Sequence, residues 1–380
     1  MENKKNIFWP IMILSLFVLS YIAITPIVSN IYASYPDVSL DNIQLVVTLI
    51  PLFSVITMFS CNSLCLHFSM KNVSIMGMIL IIMGAILPIV NESIFFLYLS
   101  SILIGLGIGV VNVVSSTMIS FYFKGKSKVK VMGYQSLFMC LGGALFSLLS
   151  GFISSYNWRF SYLSFLIGII VIIMLLKLPN DKLEKNRENS KCKLSKRVYI
   201  LGFITFLFYV AANVFNTSIS LLIDSLGFSS NISGLVTTCY MLIGIIAGLS
   251  LNKIVKYFKN QTLFFTCLMA ATSFMMIGMS TDILPIFVGT LFLGFAYATR
   301  NPAGMTFVSN MIDVSKSALA LAIFNGCAHL GAFASPYIIN LISNLYGGSI
   351  STIFVIAGIL MFIISILHIS LNPVKEKDII

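Results

Sequence analysis

Long apolar runs separated by short polar breaks dominate the chain. A helix needs about 20 apolar residues to cross a hydrocarbon core. About twelve such runs occur, near residues 7–31, 43–66, 73–90, 94–123, 131–154, 159–177, 198–223, 231–251, 262–280, 283–310, 317–342 and 350–371. A transmembrane barrel would alternate in short segments instead. The pattern predicts an all-α membrane protein of about twelve transmembrane helices. The first run, Ile7 to Ile31, exceeds the roughly 7–15 residues of a signal-peptide core and is read as a retained span.

The polar breaks alternate in charge. One set holds Lys71; Lys124, Lys126, Lys128 and Lys130; Lys253, Lys256 and Lys259; and Lys316. The other holds Asp37 and Asp41, Glu92 and Asp282, and Asp224 closes the seventh span on the same side. Basic loops stay cytoplasmic. With Lys4 and Lys5 at one end and Lys375 and Lys377 at the other, both termini are expected inside a multi-pass cell (inner) membrane protein. The longest polar stretch, Lys177 to Arg197, divides the chain into an expected six-helix bundle (1–177), a cytoplasmic linker (178–197) and a second six-helix bundle (198–380).

Composition narrows the class further. The chain is 58% hydrophobic and 9% charged, against about 25% charged in soluble domains. The net charge of +11 lies in alternating loops rather than one patch, which argues against nucleic acid as a partner. The seven Cys are scattered, with no disulfide or zinc spacing, and no cofactor is expected. Gly105-Leu106-Gly107-Ile108-Gly109 has no strand before it, so it reads as helix packing rather than a nucleotide loop.

The two halves resemble each other. Gly105 and Asn112 in the fourth span match Gly294 and Asn301 in the tenth at an offset of 189 (294 − 105), and Gly142 matches Gly331 at the same offset. Asn62 matches Asn252 at 190. Order, spacing and topology together indicate a duplicated six-helix unit. Parallel repeats of this kind are a transporter plan, with the substrate site near the midplane.

In this architecture the chain resembles the major facilitator superfamily. Asn157-Trp158-Arg159-Phe160, opening the sixth span, is similar to a common feature of that family. Asn62 to Lys71 stands where the family carries Gly-x-Leu-Ala-Asp-Arg-x-Gly-Arg-Lys. Leu64 and Lys71 agree with it, while Leu66, His67 and Ser69 replace the Asp, an Arg and a Gly. Ser101 stands where drug/proton antiporters carry an Arg, and Gly142-Gly143-Ala144-Leu145 lacks their proline. The resemblance implies a monomeric permease that moves a small-molecule solute across the lipid bilayer, outside the drug/proton antiporter branch.

The candidate chemistry centres on Arg300, deep in the tenth span. An unpaired Arg at the bilayer centre costs roughly 2.5–3.5 kcal/mol on insertion scales, so such residues face a protein interior or a wet cavity. Its planar donors match a carboxylate or sulfonate. Tyr297 and Gly304 share its helical face, and Pro302 frees a backbone carbonyl. The alternative is a brace on neighbouring carbonyls. Asn301, Asn112 with Ser115 and Ser116, Asn325 and His329 on the eleventh span, Asn213 on the seventh and Tyr21 on the first are further lining candidates. Interhelical hydrogen bonding is the alternative for each. His329 is the only His placed at mid-membrane, and no Asp or Glu falls within a span core. Proton coupling would then need His329 or the substrate itself, and otherwise exchange or facilitation is expected. The reading is alternating-access transport of a small organic anion. The alternatives are an exporter of hydrophobic compounds, favoured by 31 Phe and 19 Met, and a non-transporting membrane sensor. The short loops lack the acidic or metal-binding site of a membrane transferase.

Overall fold

A computed structural model describes residues 2–123, 125–182, 195–311, 314–371 and 373–374. The linker residues 183–194 with Cys192, the side chains of Asn62 and Asn252, and those of Lys4, Lys5, Lys124, Lys126, Lys128, Lys316, Lys375 and Lys377 lie outside the described residues.

The chain is a succession of helices. Helix α1 (Glu2–Ser15), a 3-10 segment (Ser20–Ile27) and α2 (Val28–Ser34) make the first span. Helices α3 (Leu40–His67), α4 (Met70–Val90), α5 (Ile94–Tyr122) and α6 (Gly125–Ile153) follow, then a 3-10 segment (Trp158–Ile167) that continues as α7 (Gly168–Leu175). Helices α8 (Lys196–Ala212) and α9 (Val214–Ser225) meet at Asn213, and α10 (Ser230–Phe258) leads through a short turn (Lys259–Gln261) into α11 (Thr262–Gly278). Helices α12 (Ile283–Asn310), α13 (Val314–Leu345) and α14 (Ile350–Leu371) complete the fold. Among the described residues, 11 segments are long and apolar enough to cross a membrane. The expected span 317–342 lies within α13.

The helices gather into two compact units. The first is Met1–Asn186 with Phe228–Thr238, and the second is Arg187–Gly227 with Cys239–Ile380. The opening of α10 thus groups with the first unit. The start of the expected linker also packs on the first unit. Leu178 is buried there, the Tyr122 hydroxyl donates to Asp181 Oδ2 at 2.9 Å, and Met70 N–H donates to Asp181 O at 2.9 Å.

Local chemistry accounts for the helix ends. Ser69, where the resembled family has Gly, caps α4 by accepting from Asn72 N at 3.3 Å. Asn157 accepts from Arg159 N at 3.0 Å. Next to it, Trp158 Nε1 donates to Ser34 Oγ at 2.8 Å, while Arg159 lies over the Trp158 ring and 3.5 Å from Glu92. An ion pair thus joins the start of the 3-10 segment Trp158–Ile167 to the connection between α4 and α5. Burial pushes the neighbouring Tyr35 phenol above its usual range, with the Arg159 charge pulling the other way.

The repeat has a steric basis. A Cβ added at Gly105 would lie 2.6 Å from Ile50 O, and one at Gly294 would lie 2.5 Å from Tyr240 O. Added at Gly142 it would lie 2.0 Å from Leu16 O, and at Gly331 2.3 Å from Phe206 O. The contacted residues are themselves 190 apart in both cases (240 − 50 and 206 − 16). The matched glycines therefore mark the same two helix crossings in each unit, where only the smallest residue lets the backbones approach. Gly331→Val should cost about 1–3 kcal/mol through overpacking. Gly326→Ala, with nothing within 4 Å, should leave stability unchanged or slightly raised. Thermal unfolding of the two detergent-purified variants checks this, and equal losses would contradict the steric account.

Candidate functional site

Helix α12 buries a stripe toward the interior of the second unit: Leu293, Ala296, Arg300, Ala303 and Phe307, each at most 1% exposed. The spacing of three and four residues puts all five on one helical face. Arg300 is 0% exposed and stands at the middle of this stripe. Asn301, one residue on, is turned about 100° away and is partly exposed. The structure thus places the two neighbours on different faces.

Three other helices close around the guanidinium. Phe208 of α8 stacks on it, with Cζ of Arg300 3.9 Å from the ring centroid. The Cys267 thiol of α11 lies against it, and His368 of α14 is within its electrostatic reach. Sulfur is a weak acceptor. Among the described residues no hydrogen-bond acceptor reaches Arg300 Nε, Nη1 or Nη2, and His368 Nε2 is likewise buried without a partner. The brace expected as an alternative, a guanidinium tied to helix carbonyls, is not what surrounds Arg300 here.

Tyr297 lies beside Phe208, with ring centroids 6.4 Å apart. It also meets Tyr209 at 5.6 Å and Tyr240 at 5.9 Å, and Tyr240 stacks on Phe215 at 4.4 Å. A continuous aromatic cluster therefore borders the buried cation. Asn213, at the break between α8 and α9, donates to Ala332 O at 2.8 Å and accepts from Asn216 Nδ2 at 3.1 Å. Asn325 and His329 are partly exposed on α13.

The first-unit candidates form a separate group. Ser115 is buried and donates to Asn112 O at 3.1 Å. Gln135 Nε2 donates to Ser115 Oγ at 2.9 Å and to Ser116 Oγ at 3.1 Å. Tyr21 is partly exposed in the 3-10 segment of the first span. Among the described residues no cluster of three or more His, Cys, Asp or Glu could hold a metal.

The repeat supplies an internal comparison. At offsets of 189 or 190, Arg300, Cys267, Phe208 and His368 correspond to Val111, Met78, Val18 and Leu178. All four are buried and apolar. The position that is charged and polar in the second unit is plain hydrophobic core in the first. Phe208, Cys267 and His368 are the neighbours that sequence reading misses, since they come from three other helices.

Among the described residues 11 membrane-crossing segments with matched glycine crossings at a repeat of about 190 residues fit the plan of a secondary transporter. The chain belongs to the Major Facilitator Superfamily, whose profile matches residues 11–199 and 201–379. No curated protein matches it by sequence. Similar solved structures include the nucleoside transporter NupG, with a TM-score of 0.81 and 12% identity over 96% of this chain and 99% of that one. A D-xylose–proton symporter matches with a TM-score of 0.80 and 13% identity over 99% of both chains. A peptide transporter, POT, in complex with alafosfalin has a TM-score of 0.78 and 12% identity over 96% and 94%. At such identities the likeness is one of fold.

Because the first unit manages the same node with Val111, Arg300→Met should keep or raise stability, by up to about 4 kcal/mol where an unpaired buried charge is replaced by a packed apolar side chain. Thermal unfolding of variant and wild type checks this. A large loss would make Arg300 part of what holds the bundle.

Proposed function

We propose that this transporter carries a small organic anion by alternating access, in exchange or by facilitation, with Arg300 as the charge anchor and both termini cytoplasmic. The observation that carries the reading is a fully buried guanidinium whose three nitrogens find no oxygen or nitrogen acceptor among the described residues, with only the weak Cys267 sulfur against it. A buried charge is stable only when paired and hydrogen-bonded, and among the described residues no Asp or Glu lies within a span interior to pair it. A carboxylate or sulfonate on the solute would supply the missing acceptors in the bidentate geometry that Arg favours. Until it arrives, the Phe208 face offers the guanidinium a partial substitute through cation–π attraction. Phe208 covers one face of the guanidinium, while a carboxylate would approach its N–H edge.

The aromatic cluster of Tyr209, Tyr240 and Tyr297 beside Phe208 supports a solute with an apolar body rather than an inorganic ion. In this reading Asn301, Asn325, His329 and Asn213 of the second unit contact the rest of the solute.

The test pairs binding with flux. A panel of small carboxylates, sulfonates, sugars and lipophilic cations is screened by thermal stabilisation of wild type and Arg300→Met, then by uptake into proteoliposomes. A bound anion at a hundred times its dissociation constant should add about 2.7 kcal/mol of stability to wild type and nothing to the variant, and the variant should lose its uptake. Equal uptake of an anion by a folded Arg300→Met protein would sink the proposal.

A further inference from the structure

The second unit has an open groove on its flank, independent of the proposed solute site. It runs between α10, α11 and α12, encloses about 340 Å³, and is lined by Ile254, Phe258, Thr266, Met269, Phe295 and Thr299 among others. Along α11 it extends from Thr262 to Thr272, a rise of about 15 Å. That is long enough for most of an acyl chain.

The groove exists because the repeat fails at one crossing. In the first unit α4 and α5 close on each other through two glycines. A Cβ added at Gly107 would lie 2.5 Å from Gly77 O, and one added at Gly77 would lie 2.9 Å from a Val110 side-chain carbon. At an offset of 189 these glycines become Thr266 and Ala296 in the second unit. With side chains there, α11 and α12 lack the glycine contact that closes α4 on α5. Thr266 lines the resulting opening, and Phe295 and Thr299 flank Ala296 within it.

A cation stands at one end. Lys259 lies between the lining residues Phe258 and Thr262 and is exposed. It is also the one non-glycine residue with positive φ among the described residues, at 50°. Its carbonyl is held by the Thr262 hydroxyl at 2.6 Å. An apolar trough of acyl length ending in a fixed lysine matches one amphiphile. On the orientation proposed above, that end meets the cytoplasmic leaflet, which carries the anionic lipids.

We propose that this groove binds an anionic phospholipid, with an acyl chain between α11 and α12 and the phosphate on Lys259. Lys256 provides an internal control. It sits two residues from both Ile254 and Phe258, about 200° round the helix from the groove face, and is also exposed. Removing it changes net charge equally but should not touch the site.

The test uses the full-length, delipidated protein in detergent, titrated with phosphatidylglycerol and with phosphatidylcholine, and reads lipid binding by native mass spectrometry. Wild type should prefer phosphatidylglycerol. Lys259→Gln should weaken that binding about fivefold, the usual effect of one basic residue at an anionic surface, while Lys256→Gln changes it little. Met269→Trp, which fills the groove, should reduce binding of both lipids, its lipid-free melting temperature confirming that it folds. Equal loss from Lys256→Gln and Lys259→Gln overturns the proposal in favour of diffuse attraction. Undiminished binding by folded Met269→Trp overturns the acyl site, and so does equal affinity of wild type for the two lipids. None of these outcomes depends on solute transport or on Arg300.

Discussion

Close approach of helix backbones is the constraint on which the rest of this structure depends. Within a bilayer, apolar side chains gain little by leaving lipid for one another, so helices hold together by packing and by the hydrogen bonds that packing permits. Glycine at a crossing makes that packing possible. Gly105 and Gly294 serve one crossing in each unit, and Gly142 and Gly331 another. A third crossing obeys the same rule with the partners exchanged. In the first unit a Cβ on Gly84 would lie 2.9 Å from Ser100 O, and in the second a Cβ on Gly289 would lie 3.2 Å from Ser273 O. The requirement is one small residue per crossing, and either helix can supply it.

Two departures from this shared plan fall on the same pair of helices. Where the first unit closes α4 on α5 through Gly77 and Gly107, the second unit carries Thr266 and Ala296 and opens a groove. Four residues beyond Ala296, one helical turn along the same stripe, Arg300 replaces the apolar Val111. Thr299 lines the groove while Arg300 lies in the buried stripe, so adjacent positions of α12 serve two different environments. The helical turn of about 100° per residue separates the two environments.

This geometry also explains what could be read from the sequence. The ends of α12 and α14 fall where the apolar runs placed them, because long runs bounded by polar residues leave little freedom in a bilayer. Arg300 stood out because a charge inside such a run is costly. Its surroundings were not legible, since Phe208, Cys267 and His368 come from three other helices at separations that no local spacing encodes. Arg300 and Asn301 were grouped by adjacency, yet the helix turns them to different faces. The break at Asn213 left no trace either, because no Pro or Gly stands there and a buried polar network holds it.

The duplication also bears on the two roles open to Arg300. The two units share glycine crossings at Gly105 and Gly294 and at Gly142 and Gly331, so much of the packing around this node is common to both. The first unit solves it with Val18, Met78, Val111 and Leu178, all buried, and needs no charge to do so. A guanidinium at this position carries a desolvation cost that the apolar set avoids, and the stacked Phe208 face offsets it only in part. Buried cost without structural return is the usual signature of a group kept for what it binds. The unpartnered nitrogens of Arg300 therefore weigh toward a ligand that arrives from outside the fold, and away from a brace that completes it.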